Sequence, residues 1–171
     1  MKDSRSIVAT IVQSSVVELF RGFGLAVAPL PSNATPESSQ GHLSASIGYS
    51  SKAMTGILSL LVPQSLLDQV KVTESMPTKS SDLTREFSNQ LLGRIKNRLL
   101  TYQVDLRVGI PSSMPQGPPS VRREGKYESL EFTFQSLRGL VYVALRGTID
   151  YSSIAYAGGR EAASEGDIIL F

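Results

Sequence analysis

The chain has 171 residues and no cysteine. Disulfides, thiolate metal centres and a cysteine nucleophile are therefore excluded. There is a single histidine, His42, so no HExxH zinc motif exists, and any metal site would have to lean on carboxylates. A serine-hydrolase triad could draw only on His42, and no Gly-x-Ser-x-Gly elbow is present. No apolar run reaches the roughly 18 residues needed to cross a bilayer; residues 57–62 are apolar but short. Charged residues make up 19% of the chain, below the usual share of about 25%. The 41% of hydrophobic residues is enough for one core, so disorder of the whole chain is not expected. The net charge is +2, with 17 basic residues almost balanced by acids. Arg122, Arg123 and Lys126 cluster in a Pro/Gly-flanked segment, not in the basic stripe that marks a nucleic-acid binder. Residues 1–5 lead into a patterned helix, not into a uniform apolar segment with a small-residue cleavage site. The expectation is a soluble, cytoplasmic protein with neither nucleic acid nor membrane as partner. At this length it reads as one domain over 1–171, with 150–171 a candidate C-terminal arm.

What is present alternates between two periods. Residues 6–21 carry Val8, Ile11, Val12, Val16 and Leu19 on one arc at ~100° per residue, with Phe23 following on the same arc, and Gly22 and Gly24 close the helix. Residues 28–41 hold three prolines and much serine and read as loop. From His42 to Tyr49, Leu43, Ala45, Ile47 and Tyr49 point one way and Ser44, Ser46 and Gly48 the other, as in a half-buried strand. Residues 55–62 read as a central strand of the same sheet, joined to the first as a hairpin. Pro63 opens a short helix to about Val70. A long helix over about 82–102 takes Ser81 or Asp82 as N-cap. Residues 104–110, 130–135 and 140–146 read as strands, and 111–119, with four prolines, as loop. The order helix–strand–strand–helix, then helix–strand–strand–strand, suggests two related halves. Short links between paired strands favour antiparallel pairing. The fold class expected is α+β, one antiparallel sheet with helices packed on it.

The long helix is the distinctive element. With Leu83 at 0°, Leu83, Phe87, Leu91, Leu92, Ile95 and Leu99 fill roughly 0–180°, while Glu86, Gly93 and Asn89 fall at about 300°, 280° and 240°. Residues at i and i+3 are surface neighbours, so an acid and an amide project side by side, with Lys96 next to them. Glycine inside a helix costs roughly 1 kcal/mol against alanine. Off the buried arc, its simplest use is close approach by another backbone. The plain alternative is a solvated face with an acid near the helix N-terminus, where the dipole favours it. His42 reads as a strand-end surface residue, not a ligand. Tyr142, Tyr151 and Tyr156 read as sheet and edge packing.

Asp82, Glu86-x-x-Asn89, Gly93, Lys96 and Leu99, followed by a strand leading to Pro111 and then Gly117, resemble the CheC/CheX-type chemotaxis phosphatase family. The likeness is greatest to the CheX branch, with one Glu-x-x-Asn helix per chain. The nearest second motif, Glu18-Leu19-Phe20-Arg21, has arginine where asparagine is needed. The resemblance implies hydrolysis of the aspartyl phosphate on a CheY-like receiver domain. It implies that Asn89 positions the attacking water, as a glutamine does in GTPases, and that Glu86 docks the receiver's lysine. It gives Gly93 and Lys96 to partner binding and needs no cofactor of this chain's own, Mg²⁺ being supplied by the receiver. It also implies a homodimer, formed through the sheet. The competing expectation is a non-catalytic adaptor on the same fold, as in flagellar switch proteins.

Overall fold

The computed structural model describes residues 3–31, 41–71, 73, 76–113 and 127–156. The elements in chain order are α1 (Ser4–Gly22), β1 (Val27–Pro29), β2 (His42–Ser50), β3 (Met54–Pro63), α2 (Gln64–Leu67), α3 (Ser80–Leu100), β4 (Arg107–Val108), β5 (Tyr127–Ser136) and β6 (Gly139–Ile149). A 3₁₀ turn follows at Tyr151–Ser153. The six strands form one antiparallel sheet in the order β1-β5-β6-β3-β2-β4, so the α+β expectation holds. The suggestion of two halves holds in the topology as well. Exchanging β1 with β4, β2 with β5 and β3 with β6 reads the strand order backwards, so a pseudo-twofold axis runs between β3 and β6.

The core is a single layer between the sheet and α1 and α3. In β2, Ala45, Ile47 and Tyr49 are buried. Leu58, Leu60 and Val62 of β3, Val141, Val143 and Leu145 of β6, and Leu130, Phe132 and Phe134 of β5 complete the same face. The helices run antiparallel across it. Phe20 near the end of α1 meets Phe87 near the start of α3 edge-on, with ring centroids 5.4 Å apart, while Arg98 near the end of α3 reaches Ser14 and Glu18 of α1. Two glycines let the strands close up under Tyr49. A Cβ on Gly147 would stand 2.1 Å from the Thr55 carbonyl oxygen, and one on Gly56 would stand 2.7 Å from the Tyr49 hydroxyl.

Both long helices end in the same cap. At α1, Leu25 N–H donates to Phe20 O and Gly24 N–H to Arg21 O, each at 2.9 Å. At α3, Val104 N–H donates to Leu99 O and Gln103 N–H to Leu100 O, each at 3.1 Å. This is the Schellman pattern, with Gly24 (φ 74) and Gln103 (φ 61) in the left-handed position. Counting back equally from the two caps, Ile7 corresponds to Glu86, Thr10 to Asn89, Ser14 to Gly93 and Val17 to Lys96. The motif of α3 therefore has no counterpart on α1.

Four local expectations are corrected. The segment read as loop from residue 28 begins with a strand, because Ala28 and Pro29 pair with Gln135 and Phe134; β1 is a sheet edge, where a proline's missing N–H costs no ladder bond. The strand expected over 104–110 shrinks to Arg107–Val108. Its alternation comes from Val104 and Leu106 dipping into the core, not from pairing. The helix after Pro63 covers only Gln64–Leu67, with Pro63 as its N-cap and the last residue of β3. The long helix starts at Ser80 with Lys79 at the N-cap and no capping side chain; Asp82 sits in its first turn and pairs with Arg85. His42 does lie at a strand end, but it is half-buried. Its Nε2 reaches past Pro63, which has no N–H, to donate to Leu140 O at 3.0 Å. The expectations for residues 32–40, for the Arg122–Lys126 cluster, for Gly117 and for residues 157–171 of the candidate C-terminal arm fall outside the described residues.

Candidate functional site

The phase of α3 is set by what it buries. Leu83, Thr84, Phe87, Ser88, Leu91, Leu92, Ile95 and Leu99 form its inner face. The polar members are satisfied within the helix: Thr84 Oγ1 donates to Ser80 O and Ser88 Oγ to Arg85 O, each at 2.8 Å. Such local bonding makes a buried hydroxyl tolerable. Phe87 is the pivot, edge-on to Phe20 and stacked on Phe23 with centroids 4.3 Å apart. With Phe87 pinned inward, the neighbouring Glu86 and the Asn89, Gly93, Lys96 stripe are turned away from the sheet.

The four residues differ in how they are held. Glu86 is half-buried and accepts a hydrogen bond from Gln90 Nε2 at 2.8 Å. Asn89 is exposed, and its carboxamide has no hydrogen-bond partner among the described residues. At Gly93, an added Cβ would meet nothing within 4 Å. Nothing among the described residues calls for a glycine there, so α3 gives up helix stability at that position without a reason in their packing. Lys96 Nζ lies 3.6 Å from Asp105 Oδ1 in the connection to β4, a pair open to solvent on both sides. An acid with one oxygen tied, a free amide one turn along, and a bare stretch of backbone thus share one exposed stripe. Such a surface can bind a cation through the acid and orient a small polar molecule through the amide.

Gln90 and Asp105 were not singled out from sequence. Gln90 was in principle legible, because i and i+4 are helix neighbours and Glu–Gln pairs bond at that spacing. Asp105 was not, since its meeting with Lys96 depends on how the chain turns after Gln103. The groups with clearly shifted ionisation lie elsewhere. The Glu131 carboxyl is held low, first by a hydrogen bond from Tyr142. Burial, followed by Glu131, pushes Tyr142 up to about 12. Burial, followed by Glu128, pushes Tyr151 to about 12. Among the described residues no group of three or more histidines, aspartates or glutamates is placed to hold a metal ion, and no helix is long and apolar enough to cross a membrane.

No family model and no curated protein matches the chain in sequence. Solved structures match it in fold. CheX of Vibrio vulnificus superposes with a TM-score of 0.64 at 15% identity, over 82% of this chain and 95% of that one. A CheC-like superfamily protein of Shewanella sp. PV-4 superposes with a TM-score of 0.66 at 17% identity, over 86% and 99%. CheX of Borrelia burgdorferi, solved in complex with CheY, BeF₃ and Mg²⁺, gives 0.55 at 11%, over 81% and 96%. The chain has the fold of the CheX and CheC-like chemotaxis proteins. FliY of Thermotoga maritima shares that fold at 0.56 and 14%, over 90% and 94%. One fold serves differently named proteins here, so activity has to be argued from the site.

Proposed function

We propose that this protein is a CheX-like phosphatase that hydrolyses the aspartyl phosphate of a CheY-like receiver domain. The observation that carries the reading is the stripe on α3: a tethered acid, an unpartnered amide one turn later, and a glycine with open space above it. The CheX–CheY complex among proteins of this fold supports a CheY-like receiver as the partner. An acyl phosphate is already reactive, and its hydrolysis needs mainly an in-line water and stabilised phosphoryl oxygens. Asn89 hydrogen-bonds the attacking water and holds it in line. The water oxygen bonds to phosphorus, the bond from phosphorus to the aspartyl oxygen breaks, and inorganic phosphate leaves with the aspartate regenerated. Glu86 pairs with the receiver's active-site lysine and fixes the docking register. Gly93 admits the receiver backbone close to α3. Lys96 pairs with receiver acids once Asp105 is displaced. The Mg²⁺ belongs to the receiver, where it neutralises phosphoryl charge; this chain acts as a homodimer in the cytoplasm and brings no cofactor.

Orientation on a rigid helix suits this role, since positioning alone supplies several kcal/mol of a barrier. A non-catalytic adaptor is the second reading, since FliY and a FliM middle domain share the fold; an exposed Asn89 with no partner among the described residues weighs against it. The test is a panel of phosphorylated receivers timed with and without the protein. Accelerated phosphate loss is expected with one of them, absent for Asn89→Ala and weakened for Glu86→Ala through poorer binding. Binding without acceleration would establish the adaptor instead, and an Asn89→Ala protein as active as wild type would remove the water-positioning role.

A further inference from the structure

Resting on that reading, we infer that Gln90 is a positioning residue for the docking acid: it holds the Glu86 carboxylate in the orientation that the receiver's lysine meets. The Gln90 Nε2 donates to one carboxylate oxygen, Oε1, at 2.8 Å, so Oε2 remains for an incoming cation. Both side chains are half-buried, beside Phe87 and Leu91, which are fully buried and anchor the backbone under them. Asn89 lies between them in sequence yet is exposed, without a hydrogen-bond partner among the described residues. The two working groups are thus treated oppositely. The acid that sets register is held before the receiver arrives, and the amide that follows the reacting water is left free to turn.

A glutamate on a bare helix face samples several rotamers, and a partner must freeze them on binding. A side chain already fixed avoids that loss, which is the general advantage of preorganisation. Glutamine suits the task because it donates to the acid without bringing a charge. A lysine at this position would neutralise the acid and repel the receiver's lysine, while a glutamate would repel Glu86. In this reading Gln90 acts through the Glu86 carboxylate, to which it donates, so its effect belongs to docking.

The experiment compares wild type, Gln90→Met and Glu86→Gln with the double variant, using the phosphorylated receiver found in the panel. Methionine keeps the length and apolar stem of glutamine and removes the donor. Gln90→Met is expected to raise KM for the receiver by roughly 3- to 10-fold, the cost of one newly immobilised side chain. The maximal rate and the melting temperature should stay unchanged. In the Glu86→Gln background the same substitution is expected to change KM by less than roughly 2-fold, because no carboxylate remains to orient. A second measurement needs no receiver: side-chain coupling constants of Glu86 by NMR should report one dominant rotamer in wild type and averaging in Gln90→Met. Averaged couplings in wild type, or an equal KM effect with and without the Glu86 carboxylate, would overturn the inference while leaving the phosphatase reading intact. Absence of phosphatase activity in wild type would remove that reading, while the rotamer measurement would still judge the Glu86–Gln90 contact.

Discussion

Arg98 in the last turn of α3 lies 2.5 Å from the Glu18 carboxylate of α1, and also donates to the hydroxyl of Ser14. This pair decides the role of the Glu18-x-x-Arg21 stretch. Glu18 is not a second acid presented to a partner; it is occupied in holding the two antiparallel helices together. The cap correspondence agrees, since the α1 positions matching Glu86 and Asn89 are Ile7 and Thr10. The pseudo-twofold architecture therefore carries the motif on one half only.

Removing the Glu18 charge should consequently cost stability and not activity. Both partners are partly exposed, with side-chain accessibilities of 31% for Arg98 and 43% for Glu18, and pairs of that kind contribute about 0–1 kcal/mol. Glu18→Gln and Arg98→Met are each expected to lower the unfolding free energy within that range, and together by less than the sum. Receiver dephosphorylation should be unchanged. Urea denaturation on the double-mutant cycle measures the coupling; a loss of dephosphorylation in Glu18→Gln with the fold intact would return Glu18 to the site.

Gly93 makes the opposite prediction. A Cβ at this position meets nothing within 4 Å, so Gly93→Ala should stabilise the free protein by roughly 1 kcal/mol through helix propensity. For a chain of this size that corresponds to a rise in Tm of about 2–4 °C. The same methyl group stands where the receiver is to approach, so affinity for the phosphorylated receiver should fall. Calorimetry and a binding titration on one preparation test both halves. A more stable variant with undiminished affinity would show that no backbone comes close there.

The strands that carry the sheet were legible because their side chains face two different environments. Residues 42–49 alternate in sequence since one face meets the helices and the other does not, while 140–145 is the continuous apolar run of a central strand. Where the signal failed, the cause is identifiable. Pro29 reads as a loop residue, and only its place at a sheet edge makes it a strand residue. Val104 and Leu106 alternate with polar neighbours as a strand does, yet they are buried by the chain's turn off α3, after Gln103 takes the left-handed position. Ser81 and Asp82 have the side chains of capping residues and so mark a later start for α3 than the true one, where Lys79 ends the extended segment through its backbone alone. For the site, helical phase sufficed to bring Glu86, Asn89, Gly93 and Lys96 onto one stripe, because spacing along one rigid element is a local property. The Lys96–Asp105 pair was not legible, because it depends on the path of the following loop.

Two tyrosines give the protein a pH limit on the alkaline side. Tyr151 donates to Glu128 Oε2 at 2.8 Å, and Tyr142 bonds Glu131. Burial first, then the neighbouring carboxylate, pushes each hydroxyl up to about 12, against about 10 in an unfolded chain. The folded state therefore keeps these protons over a range in which the unfolded state has lost them. Stability from this source is complete below pH 10 and falls as pH rises toward 12, since stability drops wherever the unfolded state binds fewer protons. Tyr49, wholly buried, is pushed up further by burial and adds to the same decline. Tyr142→Phe/Tyr151→Phe should be less stable than wild type at pH 8, having lost two hydrogen bonds, and should lose less on going from pH 10 to 12. Because Tyr49 and every lysine are present in both proteins, the difference between the two curves isolates the pair. Urea midpoints at pH 8, 10 and 12 measure it, and parallel declines would assign the alkaline limit to the lysines and Tyr49.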